Sequence, residues 1–333
     1  KAERLGLLSW DVAREKAINV SRQLTPEERR SLVHGSNSYG IGWYVGNTLP
    51  IQRLGVPALT MQDAGNGFRP HVPGTHGSTV QWPSLLALAA TWDEDLVEKV
   101  AAAMGREFVG KGSNVMLGPS INVHRVTSNG RNFEYLSGED PYLGARLVRP
   151  FVRGVQNEGV MACVKHYAFN EQETNRGTDS KGVTSSSNVD ERTAWELYYP
   201  PFEAAVDEGV ASFMCSYNKV NGTHACENPE LLNRDLKGRM GFKGFVMSDW
   251  GATHTSMALA HGLDQDMPGG NDHLLQTPQL MLNREQTEAT DEAATRILTA
   301  IFRLRLDQRK GCTPPKCFVD QLKNQRMPET VAL

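Results

Sequence analysis

Gly244-Phe245-Val246-Met247-Ser248-Asp249-Trp250-Gly251 is a short apolar run that breaks off into a carboxylate, an aromatic ring and a glycine. The run does not alternate with polar residues, so both its faces are to be covered, as in a parallel strand lying between other layers. Runs of the same kind recur at 57–61, 114–117, 160–164, 211–215 and 262–267. Helical patterns lie between them. Thr25-Pro26-Glu27-Glu28 supplies an N-cap, a proline at the first helical position and a glutamate at the third. Thr91-Trp92-Asp93-Glu94 opens a helix with Leu96, Val100, Ala103, Met104 and Phe108 on one face. Asn188-Val189-Asp190-Glu191 opens another, interrupted at Pro200-Pro201, and 291–304 reads as a final amphipathic helix. Strand–helix alternation along the chain predicts an α/β fold. No G-x-G-x-x-G follows a strand and no P-loop occurs, so the expected architecture is a (β/α)8 TIM-type barrel rather than an open nucleotide-binding sheet. A length of 333 residues suits one such barrel with elaborated loops.

Thirty-five basic against 38 acidic residues give a net charge of −3, which provides no field to attract nucleic acid or an anionic membrane. No apolar run reaches the ~18 residues of a membrane span. The first residue is Lys and no signal peptide precedes it, so a processed product or a fragment is expected. Of five cysteines, Cys163 lies in an apolar run and reads as a buried thiol. Cys312 and Cys317 bracket a turn-rich Thr-Pro-Pro-Lys, and Cys215 and Cys226 bracket a second candidate disulfide loop. Sequons for N-glycosylation stand at Asn19 and Asn221. Together these features favour a secreted, extracellular protein.

In a barrel the chemistry sits at the C-terminal ends of the strands. Behind the successive runs stand Asp63 with Arg69, then Arg131, then Lys165 and His166 followed by Arg176, then Tyr217, then Asp249 and Trp250. Each has a structural reading: Asp63 capping a glycine turn, Arg131 clamping Glu134 or Asp140, Asp249 capping the next helix. Jointly they have the composition of a sugar pocket, with charged groups for hydroxyls and a flat ring for a pyranose. No metal-ligand spacing is present, no cofactor is implied, and no G-x-S-x-G elbow points to a serine hydrolase.

Four motifs in this order resemble glycoside hydrolase family 3, the β-glucosidase and β-xylosidase group. They are Gly130-Arg131-Asn132-Phe133-Glu134 with Asp140-Pro141-Tyr142-Leu143; Lys165-His166-Tyr167 with Asn170-Glu171-Gln172-Glu173 and Arg176; Met214-Cys215-Ser216-Tyr217-Asn218; and the stretch from Gly241 to Trp250. The resemblance implies a barrel irregular in its first strands and a retaining β-glucosidase-like activity on terminal β-D-glucosyl residues. It implies Asp249 as nucleophile and Tyr217 as its hydrogen-bonding partner. Asp63, Arg69, Arg131, Lys165, His166, Arg176, Met214 and Trp250 would bind or shape the sugar subsite. The motif context of Cys215 and Cys226 resembles that of secreted members in which the pair is bridged.

The sequence departs from the family in two ways. Asp63 is followed by Ala-Gly-Asn-Gly-Phe-Arg where many members have Gly-Pro; an aspartate here resembles the glucosidase branch more than the xylosidase branch. In most such β-glucosidases the general acid is a glutamate on a following α/β sandwich domain; in one-domain N-acetylhexosaminidases it is an Asp/His pair on a barrel loop. The loop 177–187 holds Asp179 but no histidine, and Glu171 and Glu173 read as loop-holding residues. The expected organisation is an arm over 1–24, a barrel over 25–306 and a tail or linker over 307–333, with the acid on a downstream domain or a separate chain. The alternatives are a carbohydrate-binding or structural barrel without turnover, a β-xylosidase and a one-domain N-acetylhexosaminidase.

Overall fold

The computed structural model describes residues 6–36, 42–70, 72, 75, 77–177, 183–270, 283–309 and 311–318. In chain order its strands are β1 (Gly46–Asn47), β2 (Thr60–Asp63), β3 (Val115–Leu117), β4 (Met161–Tyr167), β5 (Ser186–Ser187), β6 (Ser212–Cys215), β7 (Lys219–Val220), β8 (Thr223–His224) and β9 (Phe245–Ser248). The helices are α1 (Trp10–Ser21), α2 (Pro26–Val33), α3 (Leu85–Ala89), α4 (Glu94–Gly110), α5 (Pro141–Asn157), α6 (Glu191–Thr193), α7 (Pro200–Asp207) and α8 (Arg284–Arg303). The main sheet runs β1-β2-β3-β4-β6-β9, parallel throughout except that β1 is antiparallel to β2. The irregularity therefore lies at the first strand. A small sheet β5-β7-β8 stands apart.

Two extended segments without a strand of their own complete the ring. Ser248 N–H donates to Gln265 and Gly35 N–H donates to Asp266, at 2.8 and 2.9 Å. Ser36 N–H then donates to Asn47 in β1 at 2.9 Å, so hydrogen bonds encircle the barrel. The 262–267 run thus contributes single bridges rather than a strand.

The apolar runs are continuous because the strands are buried on both faces. Met116, Ala162, Val164, Phe213 and Val246 pack with α4, α5 and α7, whereas Leu117, Met161, Cys163, Met214 and Met247 belong to a second cluster. Neighbours in sequence fall into opposite clusters, as period-two side chains require. Helices α4 and α5 lie so close that a Cβ at Gly154 would stand 2.6 Å from the Glu98 carbonyl oxygen. Thr25 and Glu28 form a complete capping box at α2, and Asp140 caps α5 ahead of Pro141. Helix α8 begins at Arg284, seven residues before the expected start, because Asn283 and Gln286 form a second capping box there.

Where they are described, residues of the 1–24 arm pack against the body. Ala13 and Ala17 of α1 are fully buried in the cluster that contains Ile297 and Ile301 of α8. Likewise Phe318 stacks on Trp43 with centroids 5.3 Å apart, so the first part of the expected tail packs against the body. No helix among the described residues is long and apolar enough to cross a membrane.

Candidate active site

Asp249 follows β9 directly and lies 8 % exposed at the wall of a cavity of about 560 Å3. Its Oδ1 accepts the Trp250 N–H at 2.8 Å, and its Oδ2 lies 3.7 Å from His166 Nε2. Burial pushes the Asp249 carboxyl above its usual range; Lys165, the Trp250 N–H, Arg131 and Arg176 offset only part of that. The carboxylate oxygens keep room for another partner.

Lys165 and His166 are adjacent on β4, so a regular strand would send them to opposite faces. The pairing of β4 with β6 shifts register between Val164 and Tyr167, and both side chains line the cavity. The Lys165 ammonium has no hydrogen-bond partner among the described residues and is available to a ligand. Burial, reinforced by the charges of Arg131, Lys165 and Arg176, holds His166 well below its ordinary pKa, so the ring is neutral. Asn122 fixes the His166 backbone: the His166 N–H donates to its Oδ1 at 2.8 Å, and its Nδ2 donates to the His166 carbonyl at 3.0 Å.

Two glutamates hold the arginines in place. Arg131 Nε donates to Glu134 Oε1, and Arg131 Nη1 lies 3.8 Å from Glu173. Arg176 Nη1 stands 2.9 Å from the same Glu173, while its guanidinium covers the Tyr217 ring at 4.6 Å. Burial would raise the Glu134 carboxyl, but Lys165, Arg131 and a bond from Ser120 bring it below the usual carboxylate range. The Tyr217 hydroxyl donates to the Trp250 carbonyl at 2.9 Å. Burial and then the nearby Asp249 charge raise its pKa. The bond that the resemblance implies from Tyr217 to Asp249 therefore competes with that carbonyl.

At the rim, Arg69 donates to Asp63 at 2.8 Å; Arg69 is 70 % exposed and Asp63 31 %. Trp250 Nε1 donates to the Val45 carbonyl at 3.0 Å. A Cβ at Gly46 would meet the Trp250 ring at 2.7 Å, so glycine is what lets the indole lie against the first strand. Met214 closes one side of the cavity.

The family model described as "Glycosyl hydrolase family 3 N terminal domain" matches residues 44–299. The chain belongs to glycosyl hydrolase family 3. It is 46 % identical over 274 residues to a probable beta-glucosidase M of Neosartorya fischeri, covering 80 % of this chain and 34 % of that one. It is 42 % identical over 316 residues to a probable beta-glucosidase M of Aspergillus fumigatus, covering 92 % of this chain and 40 % of that one. The crystal structure of a beta-D-glucoside glucohydrolase from Trichoderma reesei superposes with a TM-score of 0.81 at 36 % identity, over 91 % of this chain and 42 % of that one. A beta-glucosidase from Streptomyces venezuelae solved in complex with D-glucose superposes equally well, at 33 % identity over 93 % of this chain and 40 % of that one. The chain thus spans about two fifths of the length of these family 3 relatives, and its α/β barrel is theirs.

All ten residues singled out for this family 3 site border one cavity: Asp63, Arg69, Arg131, Lys165, His166, Arg176, Met214, Tyr217, Asp249 and Trp250. Sequence reasoning did not assign Glu134 and Phe133 to the cavity, although both lie in the Gly130–Glu134 motif. It also missed Tyr135, which stands behind His166. Cys215–Cys226 and Cys312–Cys317 are bridged and Cys163 is a buried free thiol. Asn19 is exposed on α1. Asn221 turns the β7–β8 hairpin with φ 49°, its amide paired with both backbone groups of Val189. Asp179 lies outside the described residues.

Proposed function

We propose that the chain is the catalytic barrel of a secreted, retaining, exo-acting β-glucosidase that hydrolyses terminal β-D-glucosyl residues. The observation that carries this reading is a single buried carboxylate without a cationic hydrogen-bond partner, Asp249, in a cavity whose cations Arg131, Lys165 and Arg176 surround it. The names of the relatives support the substrate class. The two disulfides support an oxidising, extracellular setting, in which the Asn19 and Asn221 sequons would carry glycans.

In the proposed reaction the ionised Asp249 attacks the anomeric carbon as the bond to the aglycone oxygen breaks, and a general acid protonates that oxygen. The covalent glycosyl–enzyme is then opened by water, with the same acid group returning as base. Lys165, Arg131 and Arg176 favour the charged Asp249, and their donors gain strength against hydroxyls of the oxocarbenium-like state. The cavity's other carboxylates are already engaged: Glu134 is kept below the usual carboxylate range by Lys165 and Arg131, and Asp63 is paired with Arg69. We therefore assign the acid/base to a group beyond the described residues, on a further α/β domain or a partner chain. That Glu134 and Asp63 are both paired with arginines in the described wall is also what favours the second reading, a carbohydrate-binding barrel without turnover.

Azide rescue separates the two. In Asp249→Ala, azide added with an activated aryl β-D-glucoside restores turnover and yields the α-glucosyl azide. A β-glucosyl azide would make Asp249 the acid/base, and no rescue in a folded variant would favour the binding-only barrel.

A further inference from the structure

We infer that Tyr135 is a positioning residue of this cavity: its buried hydroxyl donates to His166 Nδ1 and so fixes the ring proton on Nε2, the nitrogen that faces Asp249. The kinetic consequence rests on the proposed glycosidase reading; the protonation pattern does not.

The Tyr135 side chain is 1 % exposed, and its hydroxyl meets His166 Nδ1 at 2.8 Å. Among the described residues that hydroxyl has no other partner. A neutral imidazole carries one proton, and the nitrogen without it accepts. If the proton sat on Nδ1, the Tyr135 oxygen would accept it, and the phenolic hydrogen would be buried with no acceptor, which is costly. Donation from Tyr135 avoids this and leaves the proton on Nε2.

The groups facing Nε2 pull in opposite directions. Asp249 Oδ2 at 3.7 Å favours a proton there, while Arg131 Nη2 at 3.5 Å is a donor and favours a bare nitrogen. Arg131 has a better acceptor in Glu134, to which its Nε is bonded, with Glu173 also close by. The phenol has no alternative, so the Tyr135 bond decides. Asn122 already fixes the backbone on both sides of His166, and His124 packs edge-on against the Tyr135 ring at 6.2 Å. The ring is also neutral, for the reasons of burial and surrounding charge given above. His166 thus presents a donor to the cavity, directed at the Asp249 carboxylate and at a sugar oxygen lodged beside it.

The test is 15N-histidine NMR on the full chain, with the His166 ring assigned by its loss in His166→Asn. The expected pattern is a pyridine-type shift at Nδ1 and a pyrrole-type shift at Nε2. In Tyr135→Phe the pattern averages or inverts, and kcat/KM on an activated aryl β-D-glucoside falls about ten-fold, the size of one lost polar contact. A pyrrole-type Nδ1 in the unaltered chain overturns the inference, as does an unchanged pattern in Tyr135→Phe. The unaltered chain decides the matter even if the variant does not fold. An intact Nε2–H pattern alongside a failed Asp249 test would remove the glycosidase reading and leave this one standing.

Discussion

Asp249 and Glu134 line the same cavity and feel the same cations, yet their carboxyls shift in opposite directions. Glu134 lies in the field of Lys165, takes Arg131 Nε directly and adds Ser120; Asp249 has no arginine bonded to it and takes the Trp250 N–H, with its cations at longer range. For Glu134 the charges of Lys165 and Arg131, together with the bonds from Arg131 and Ser120, outweigh burial; for Asp249 the same cations and one backbone N–H do not. One carboxylate is thereby committed to holding the wall, and the other is kept available. Behind both, Glu171 shows what burial does with still less support: with one bond from Asn122 and Arg125 at long range, its carboxyl rises to about 8.

The largest expected effect separates the two cavity carboxylates. On an activated aryl glucoside, Asp249→Asn should lower kcat by more than ~10³-fold. Glu134→Gln should cost roughly 10–100-fold in kcat/KM through a loosened Arg131. Its melting point should also fall, because Arg131 loses its buried partner. Equal kinetic losses would erase the distinction.

Next comes Glu171. Its folded pKa of about 8 lies above the ordinary 4.5, so the folded state binds more protons between these values. The resulting stability is fully present below about pH 4.5 and is lost as pH rises to about 8. Glu171→Gln should therefore flatten the decline, gaining roughly 2–4 kcal/mol at pH 8 in urea unfolding. A decline that persists in the variant would place its origin elsewhere. The smallest effect belongs to the rim: Arg69→Ala, at a largely exposed pair, should change KM by about two- to three-fold and leave the melting point within about a degree.

Much of this was legible in the sequence where local chemistry acts alone. The apolar runs mark β2, β3, β4, β6 and β9 to within a few residues because both faces are buried, and the Thr25–Glu28 box marks α2. The polar residues behind those runs lead to one cavity because parallel strands all end on the same side. Other features depend on pairing, which no local pattern carries. Ring closure through Gly35, Ser36 and 265–266 rests on single bridges, and the β4–β6 shift that turns His166 inward exists only in register. Tyr135 reads as a core ring in sequence because its role lies in one hydroxyl contact. The start of α8 is encoded in the Asn283–Gln286 capping box, whereas the apolar spacing begins only a turn or two later.

On the proposed reading Asp249 is the group that bonds to the sugar. A 2-deoxy-2-fluoro-β-glucosyl reagent with an activated leaving group needs little acid assistance, so it isolates this step. After reaction, peptide mapping by mass spectrometry should find one fluoro-glucosyl adduct, on the peptide carrying Asp249. An adduct on Asp63, Glu134 or another carboxylate, or no adduct in a folded chain that binds glucose, would contradict the account.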